Sequence, residues 1–260
     1  MTDAGYFGPQ SVTWRVHADP MMLVGGVRAL FLQALHPRAM LAVSRHSNFR
    51  DEPWRRLMRT AKYIGVTTYG TKAEADDAAA RVRRVHAAIP DADDPELLRW
   101  IHCCEVDSFL QAARRAGLPM TDADADRYVA EQTTSAELVG LPAGAVPGDM
   151  AALRTYFAAI RPELALTFAA KEAARYLLIP PMPGWVQALT PARGAWAGTA
   201  ALAFGLLPSW ARRLYRMPAL PTGDIAATAA ARAMRGSLML LPESVRTGPA
   251  LRAARERLAS

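Results

Sequence analysis

The chain has 260 residues, 51% hydrophobic and 21% charged, with a formal net charge of +7. That balance excludes an intrinsically disordered chain and leaves enough residues to bury a substantial core. The positive charge permits contact with nucleic acid or anionic lipid, and equally suits a globular protein whose arginines cover helix surfaces. Cys103 and Cys104 are the only cysteines and are adjacent. Neighbours on a helix point about 100° apart and do not readily bridge. With neither a disulfide framework nor zinc spacing, the pair fits a reducing compartment.

Ala, Leu and Arg abound and alternating β-branched runs are scarce, so the predicted class is all-α. The first residues, MTDAGYFGPQ, lack a basic region and an apolar core, so no secretory signal is expected and a cytoplasmic setting is. Residues 1–18 read as an irregular arm anchored by Trp14 and Val16. Asp19-Pro20 then predicts an N-cap followed by proline at the first helical position. The helix after it, MMLVGGVRALFLQALH, is apolar on nearly every side, as a central buried helix would be. Gly25-Gly26 inside it costs roughly 1 kcal/mol per glycine against alanine, which predicts a close neighbour there. Pro37 should kink or end this helix directly after His36.

A short helix through Arg45 is expected next, then a polar break at His46-Ser47-Asn48. Asp51 should cap a helix carrying Trp54, Arg56, Leu57, Arg59, Thr60 and Tyr63, with Gly65 and VTTYG marking its end. Thr71 and Glu74 form a capping box for a helix running to Ile89. Further helices are predicted from Pro95 to about Ala116, over Asp122–Val139, Gly148–Ile160 and Pro162–Leu178. A proline-punctuated loop leads to Ala195–Tyr215, broken near Pro208, then Asp224–Leu241 and a last helix from Pro249. The apolar stretch Ala195–Leu207 is too short to span a bilayer but long enough to rest on one. Residues 1–260 read as one domain without internal repeats.

The residues suited to chemistry cluster between His36 and His86. Ala79, Val82, His86 and Ile89 share one helical stripe, so His86 sits on an apolar face. Such a histidine is either a satisfied core residue or a ligand. Arg56, Arg59 and Thr60 share another face, which either binds an anion or is a solvated, salt-bridged surface. His36 reads as a helix C-terminal cap and His46 as a turn residue. His102 and Glu105 form an H-x-x-E pair, the reverse of the di-iron E-x-x-H, with no second copy. No cysteine-ligand loop surrounds Cys104. A P-loop, a dinucleotide-binding turn, a G-x-S-x-G elbow and H-E-x-x-H are all missing, against hydrolase and nucleotide readings.

GGVRALFLQALHPRAMLAVSRHSNFRDEPWRRLMRT, then VRRVHAAIP, then DPELLRWIHCCEVDSF resembles the rubber oxygenase catalytic-domain family. That family includes the latex-clearing proteins and a fungal membrane-bound oxygenase of mycophenolic acid biosynthesis. The resemblance spans roughly Trp14 to Leu118. It implies a globin-reminiscent helical core that holds a b-type haem, with iron on His86. It further implies that Arg56, Arg59 and Thr60 match the distal arginine, lysine and threonine, that His102 matches a second histidine near the haem, and that His36 matches the family's H-P motif. Two departures stand out. Arg59 replaces the lysine of the rubber cleavers and cannot lose its proton. Their glutamate base aligns near Met40, where no acid stands, so polyisoprene cleavage is not part of the expectation.

The expectation is therefore a haem b-dependent oxygenase acting on a small hydrophobic or unsaturated molecule, with O2 as co-substrate and peripheral membrane contact allowed. Apolar residues of Met21–Leu35 would wall the pocket. The segment Trp185–Leu220 would admit a hydrophobic substrate or touch a membrane. A haem-binding or sensing protein without turnover would use the same residues. A cofactor-free basic helical module lacks its own signature, and no nucleic-acid partner is expected.

Overall fold

A computed structural model describes residues 3–46, 53–184 and 190–259. The fold is all-α, with no strand among the described residues. Its first helix, α1 (Val12–His17), lies where an irregular arm was expected. Ser11 caps it by accepting from the Trp14 N–H, and Trp14 and Val16 are buried. At six residues it is too short to show a period. α2 (Met22–Gln33) starts later than Asp19-Pro20 suggested, because the Asp19 carboxylate takes the Met21 N–H instead.

Pro37 begins α3 (Pro37–His46) rather than simply stopping α2. α4 (Pro53–Tyr69) passes through Gly65 and ends within the VTTYG run as expected, and the expected cap at Asp51 lies outside the described residues. α5 (Lys72–Ala87) has the predicted Thr71–Glu74 capping box. α6 (Pro95–Arg115) is capped by Asp94, and α7 (Asp122–Leu138) by Thr121 with Asp124. α8 (Met150–Ile160) and a short 3-10 turn, Arg161–Glu163, precede α9 (Phe168–Leu178), so the predicted Pro162–Leu178 helix is split. α10 (Ala192–Gly205) and α11 (Ser209–Leu214) divide at Pro208 as expected. They are followed by α12 (Pro221–Met239), α13 (Glu243–Arg246) and α14 (Pro249–Ala259).

The closest helix pair is α2 with α6, and α10 crosses α2 on another side. Gly25 explains the first contact. A Cβ built there would stand 3.0 Å from the Phe109 Cα and 3.1 Å from the Ser108 carbonyl oxygen. The predicted close neighbour is thus the backbone of α6. Arg28, only 2% exposed, ties three elements together. Its Nη2 lies 2.8 Å from the Asp107 carboxylate, Nη1 donates to Ser108 Oγ at 2.7 Å, and Nε donates to the Leu206 carbonyl at 2.9 Å. Trp100 is fully buried and donates to the Gln33 carbonyl at 3.2 Å. The apolar cluster around these helices is continuous from Val12 to Ala231.

α4 and α5 form a helical hairpin set apart from that centre. Its turn end is anchored where Tyr69 meets Trp14 edge to face at 4.8 Å and Gly65 lies against Ala250 of α14. Its other end is tied by Arg83, which donates to the Leu138 carbonyl at 2.6 Å. There too Trp54 donates to the Pro181 carbonyl at 3.0 Å and meets Trp196 at 4.6 Å. Neither helix of the hairpin packs its backbone closely along α6 among the described residues.

Candidate functional site: the cleft between the α4–α5 hairpin and α6

The hairpin turns at Gly70-Thr71. At about 1.5 Å per residue, Arg56 on α4 and His86 on α5 both stand roughly 22 Å from that turn, level with one another. The antiparallel hairpin therefore brings the Arg56 face and His86 to the same end. On α6, His102 and Glu105 stand one turn apart with Gln33 of α2 beside Glu105, and the charge of Glu105 reaches Tyr63 on the facing side of α4. The Gln33 side-chain amide reaches the Ile101 carbonyl at 3.4 Å and Glu105 Oε1 at 3.5 Å, both long contacts.

His86 is half-buried, and its Nδ1 is enclosed without a hydrogen-bond partner. Burial lowers its pKa, opposed in part by Asp93, so the ring is neutral at neutral pH. Tyr63 has the same predicament. Its hydroxyl is enclosed without a partner, and burial, with the charge of Glu105 second, pushes its pKa up to about 12. Burial raises the Glu105 carboxyl to about 7, opposed only by the Gln33 hydrogen bond. Burial lowers His102 to about 4, and no hydrogen bond holds its ring among the described residues. Arg56 is half-buried, with its pKa lowered by burial and then by neighbouring Arg59. It stays cationic all the same. Arg59 and Thr60 are exposed at the same end of α4.

His17 shows how a satisfied core histidine looks in this fold. Its Nδ1 is hydrogen-bonded to Thr68 Oγ1 at 2.8 Å and its Nε2 to Tyr128 Oη at 3.0 Å, while burial pushes it down to about 3. His86 has neither partner. His36 is engaged elsewhere. It sits at the start of α3, not at a helix C-terminus, because Pro37 opens a new helix. Its Nδ1 accepts from the Ala39 N–H at 3.4 Å, Nε2 lies 4.0 Å from Glu163, and the ring leans on Trp100 at 5.9 Å. Burial lowers its pKa, so the charged C-terminal cap expected from sequence is replaced by a neutral N-terminal one. The side chain of His46 lies outside the described residues, as do residues 185–189 of the stretch expected to admit substrate.

Sequence reading undervalued Glu105 and passed over Gln33. The signal for Glu105 was an acid recurring on the apolar side of α6 with Leu98, His102 and Phe109. Gln33 gave none, since a lone glutamine near a helix end is commonplace. The cysteines are buried thiols with raised pKa, Cys103 to about 12, and they are not bridged.

The sequence matches the family described as ER-bound oxygenase mpaB/B'/Rubber oxygenase, catalytic domain, over residues 14–236. The chain belongs to this oxygenase family. The match runs from α1 into α12, so the relationship extends well past Leu118, where the motif resemblance had faded. It takes in both walls of the cleft. No curated protein and no solved structure matches the chain. An oxygenase catalytic domain takes O2 and an oxidisable substrate as reactants, which fits a cleft lined by a few polar groups inside an apolar helical frame.

Proposed function

We propose that the protein is a haem b-dependent oxygenase acting on a small hydrophobic or unsaturated molecule, with His86 as the protein ligand to iron. The carrying observation is the contrast between the two histidines: His17 has both nitrogens partnered, whereas His86 is neutral, half-enclosed and unpartnered. An orphaned imidazole nitrogen on α5 and an orphaned tyrosine hydroxyl on α4 are what a hairpin built to face a further group leaves behind. The described residues include no group of three or more His, Cys, Asp or Glu side chains able to hold a metal ion. One imidazole plus a metal-carrying macrocycle is the donor set that suits such a cleft. The residues fit haem.

When bound, haem would supply oxygen binding and activation at the centre of the cleft. The chain's own contributions follow from its side chains. Arg56 and Arg59 place two positive charges at the rim beside Thr60, suited to the haem carboxylates or to negative charge developing on oxygen. Glu105, titrating near 7, can hold or release a proton at working pH. The Gln33 amide orients its Oε1, and Tyr63 faces it from α4. His102 stays neutral and adds a second imidazole to the α6 wall. That internal proton-holding group favours turnover over simple haem carriage. No described helix is long and apolar enough to cross a membrane. A cytoplasmic setting with reduced Cys103 and Cys104 completes this reading.

The test is the ultraviolet–visible spectrum of protein produced with ample haem, before and after dithionite and carbon monoxide. A Soret band near one equivalent, lost in His86→Ala with helicity retained, supports the assignment. Full haem in His86→Ala moves the ligand elsewhere, and no Soret band in folded wild type removes haem altogether. Glu105→Gln should keep haem but slow substrate-dependent oxygen uptake; unchanged uptake would return the cleft to a carrier role.

A further inference from the structure

Away from the cleft, an open groove of about 370 Å³ runs between α9 and the end of α11. That size is within the range of about 300–1,000 Å³ typical of small-ligand pockets. Its apolar lining includes Leu166, Leu178, Ile179 and Tyr215, and its charged lining is wholly cationic: Lys171, Arg175 and Arg216. Phe31 and Gln33 are two residues apart on α2 and so project about 200° around it. The Tyr215 hydroxyl donates to the Phe31 carbonyl at 2.7 Å, whereas the Gln33 side chain reaches Glu105. Groove and cleft therefore occupy different sides of one helix.

Three cations share this groove, whereas other exposed arginines are drawn into ion pairs. Arg38 pairs with Asp94, Arg114 with Asp122, Arg127 with Glu131 and Arg255 with Glu243. Lys171, Arg175 and Arg216 have no carboxylate partner among the described residues, and no acid lines the groove. Lys171 and Arg175 lie one turn apart on α9, so their positive charges repel one another. Arg216 joins them as the residue that ends α11, where the Met217 N–H also closes back onto the Arg212 carbonyl at 3.0 Å. Its φ is 60°, the left-handed region that favours glycine, at the point where its N–H closes α11 onto the Arg213 carbonyl. Two like charges one turn apart with a third cation beside them, and no acid among them, make an arrangement whose repulsion a bound anion would relieve. Beside them Ile179 is 58% exposed, an apolar side chain held in water at the mouth of the groove.

We propose that this groove binds a free long-chain carboxylate, its head among Lys171, Arg175 and Arg216 and its alkyl chain along Leu166, Leu178 and Ile179. Charge complementarity selects the head group, and the apolar lining selects the tail. The groove's volume suits one alkyl chain, and Tyr215, fixed to α2, gives it a rigid side. The proposal does not depend on haem.

The test is calorimetric titration of the full-length protein with dodecanoate below its aggregation concentration. Saturable one-to-one binding is expected, weakened at least tenfold by Lys171→Gln/Arg175→Gln/Arg216→Gln and similarly weakened for dodecanol, which lacks the carboxylate. The three side chains are exposed, so circular dichroism of the triple variant should match wild type. Arg216→Gly, which relieves the backbone while removing the charge, should also lose affinity. Equal affinity in wild type and triple variant overturns the proposal. So does binding only to phosphatidylglycerol vesicles, which would make the face a lipid contact. A Soret shift on adding dodecanoate that persists in the triple variant would place the acid in the cleft instead, overturning it too.

Discussion

Arg28 on α2 and Asp107 on α6 form an ion pair of 2.8 Å at the centre of the molecule, with the guanidinium almost wholly removed from water. Its other nitrogens donate to Ser108 and to the Leu206 carbonyl, so the cation is well satisfied. Arg28→Ala would leave the carboxylate and that carbonyl without their partner. The expected loss is about 3–5 kcal/mol of stability. Urea denaturation reads it directly, and a loss below 1 kcal/mol would show that the three-helix junction does not rely on this clamp.

Gly25→Ala isolates the contact between α2 and α6. Alanine should gain roughly 1 kcal/mol of helix propensity. Its Cβ, however, would meet the Phe109 backbone at 3.0 Å, where no flexible side chain can yield fully. Overpacking of about 1–3 kcal/mol should win, giving net destabilisation in a thermal melt. A stabilised variant would mean that the two helices can separate without cost.

Glu105 gives the cofactor-free protein a distinctive pH dependence. Its folded pKa of about 7 lies above the ordinary 4.5, so the folded state keeps a proton that the unfolded chain releases. The resulting stabilisation is complete below the unfolded value and is lost as pH rises through about 7. Glu105→Gln removes this dependence, so wild type should lose at most about 3 kcal/mol relative to the variant between pH 4.5 and 8. His17 works in the opposite sense. Its folded value of about 3 lies below 6.5, so its contribution is present above 6.5 and lost on acidification towards 3. Comparing the two proteins at each pH cancels that second effect. Parallel stability curves would show that Glu105 is not held protonated.

Tyr63→Phe removes an enclosed hydroxyl that lacks a partner while keeping the ring. The cofactor-free protein should gain about 1–3 kcal/mol. Denaturation before and after haem addition would separate the two states, and the gain should shrink when haem is bound. A destabilised apo variant would reveal a hydrogen bond to Tyr63 in solution.

Local chemistry made much of this architecture legible. Thr71 with Glu74, Asp94 with Pro95 and Thr121 with Asp124 all announce helix starts whose caps lie within a few residues in sequence. Gly25 announced a close neighbour because no other reason for glycine exists inside an apolar helix. The failures are long-range. The end of α4 is legible in the VTTYG run but not to the residue, since Gly65 stays helical where it lies against Ala250 of α14. Pro37 reads as an end, but it fits a helix start equally well, and only the placement of α3 beside α9 decides. In the cleft, His86 and the Arg56 face stood out by spacing. The company of Glu105, Gln33 and Tyr63 arises from three different helices, and no pattern along the chain records it.

The hairpin of α4 and α5 is moored at both ends and stands off from α6 between them. Consequently Gly25, Arg28 and Trp100 close the α2–α6 axis while Tyr63 and His86 stand on the hairpin, with Glu105 belonging to both through its contact with Gln33. A substitution at Tyr63 or His86 can change the lining of the hairpin without loosening the junction that keeps the chain folded. The scaffold can exchange its reactive lining as a lathe exchanges its tool, the bed remaining fixed.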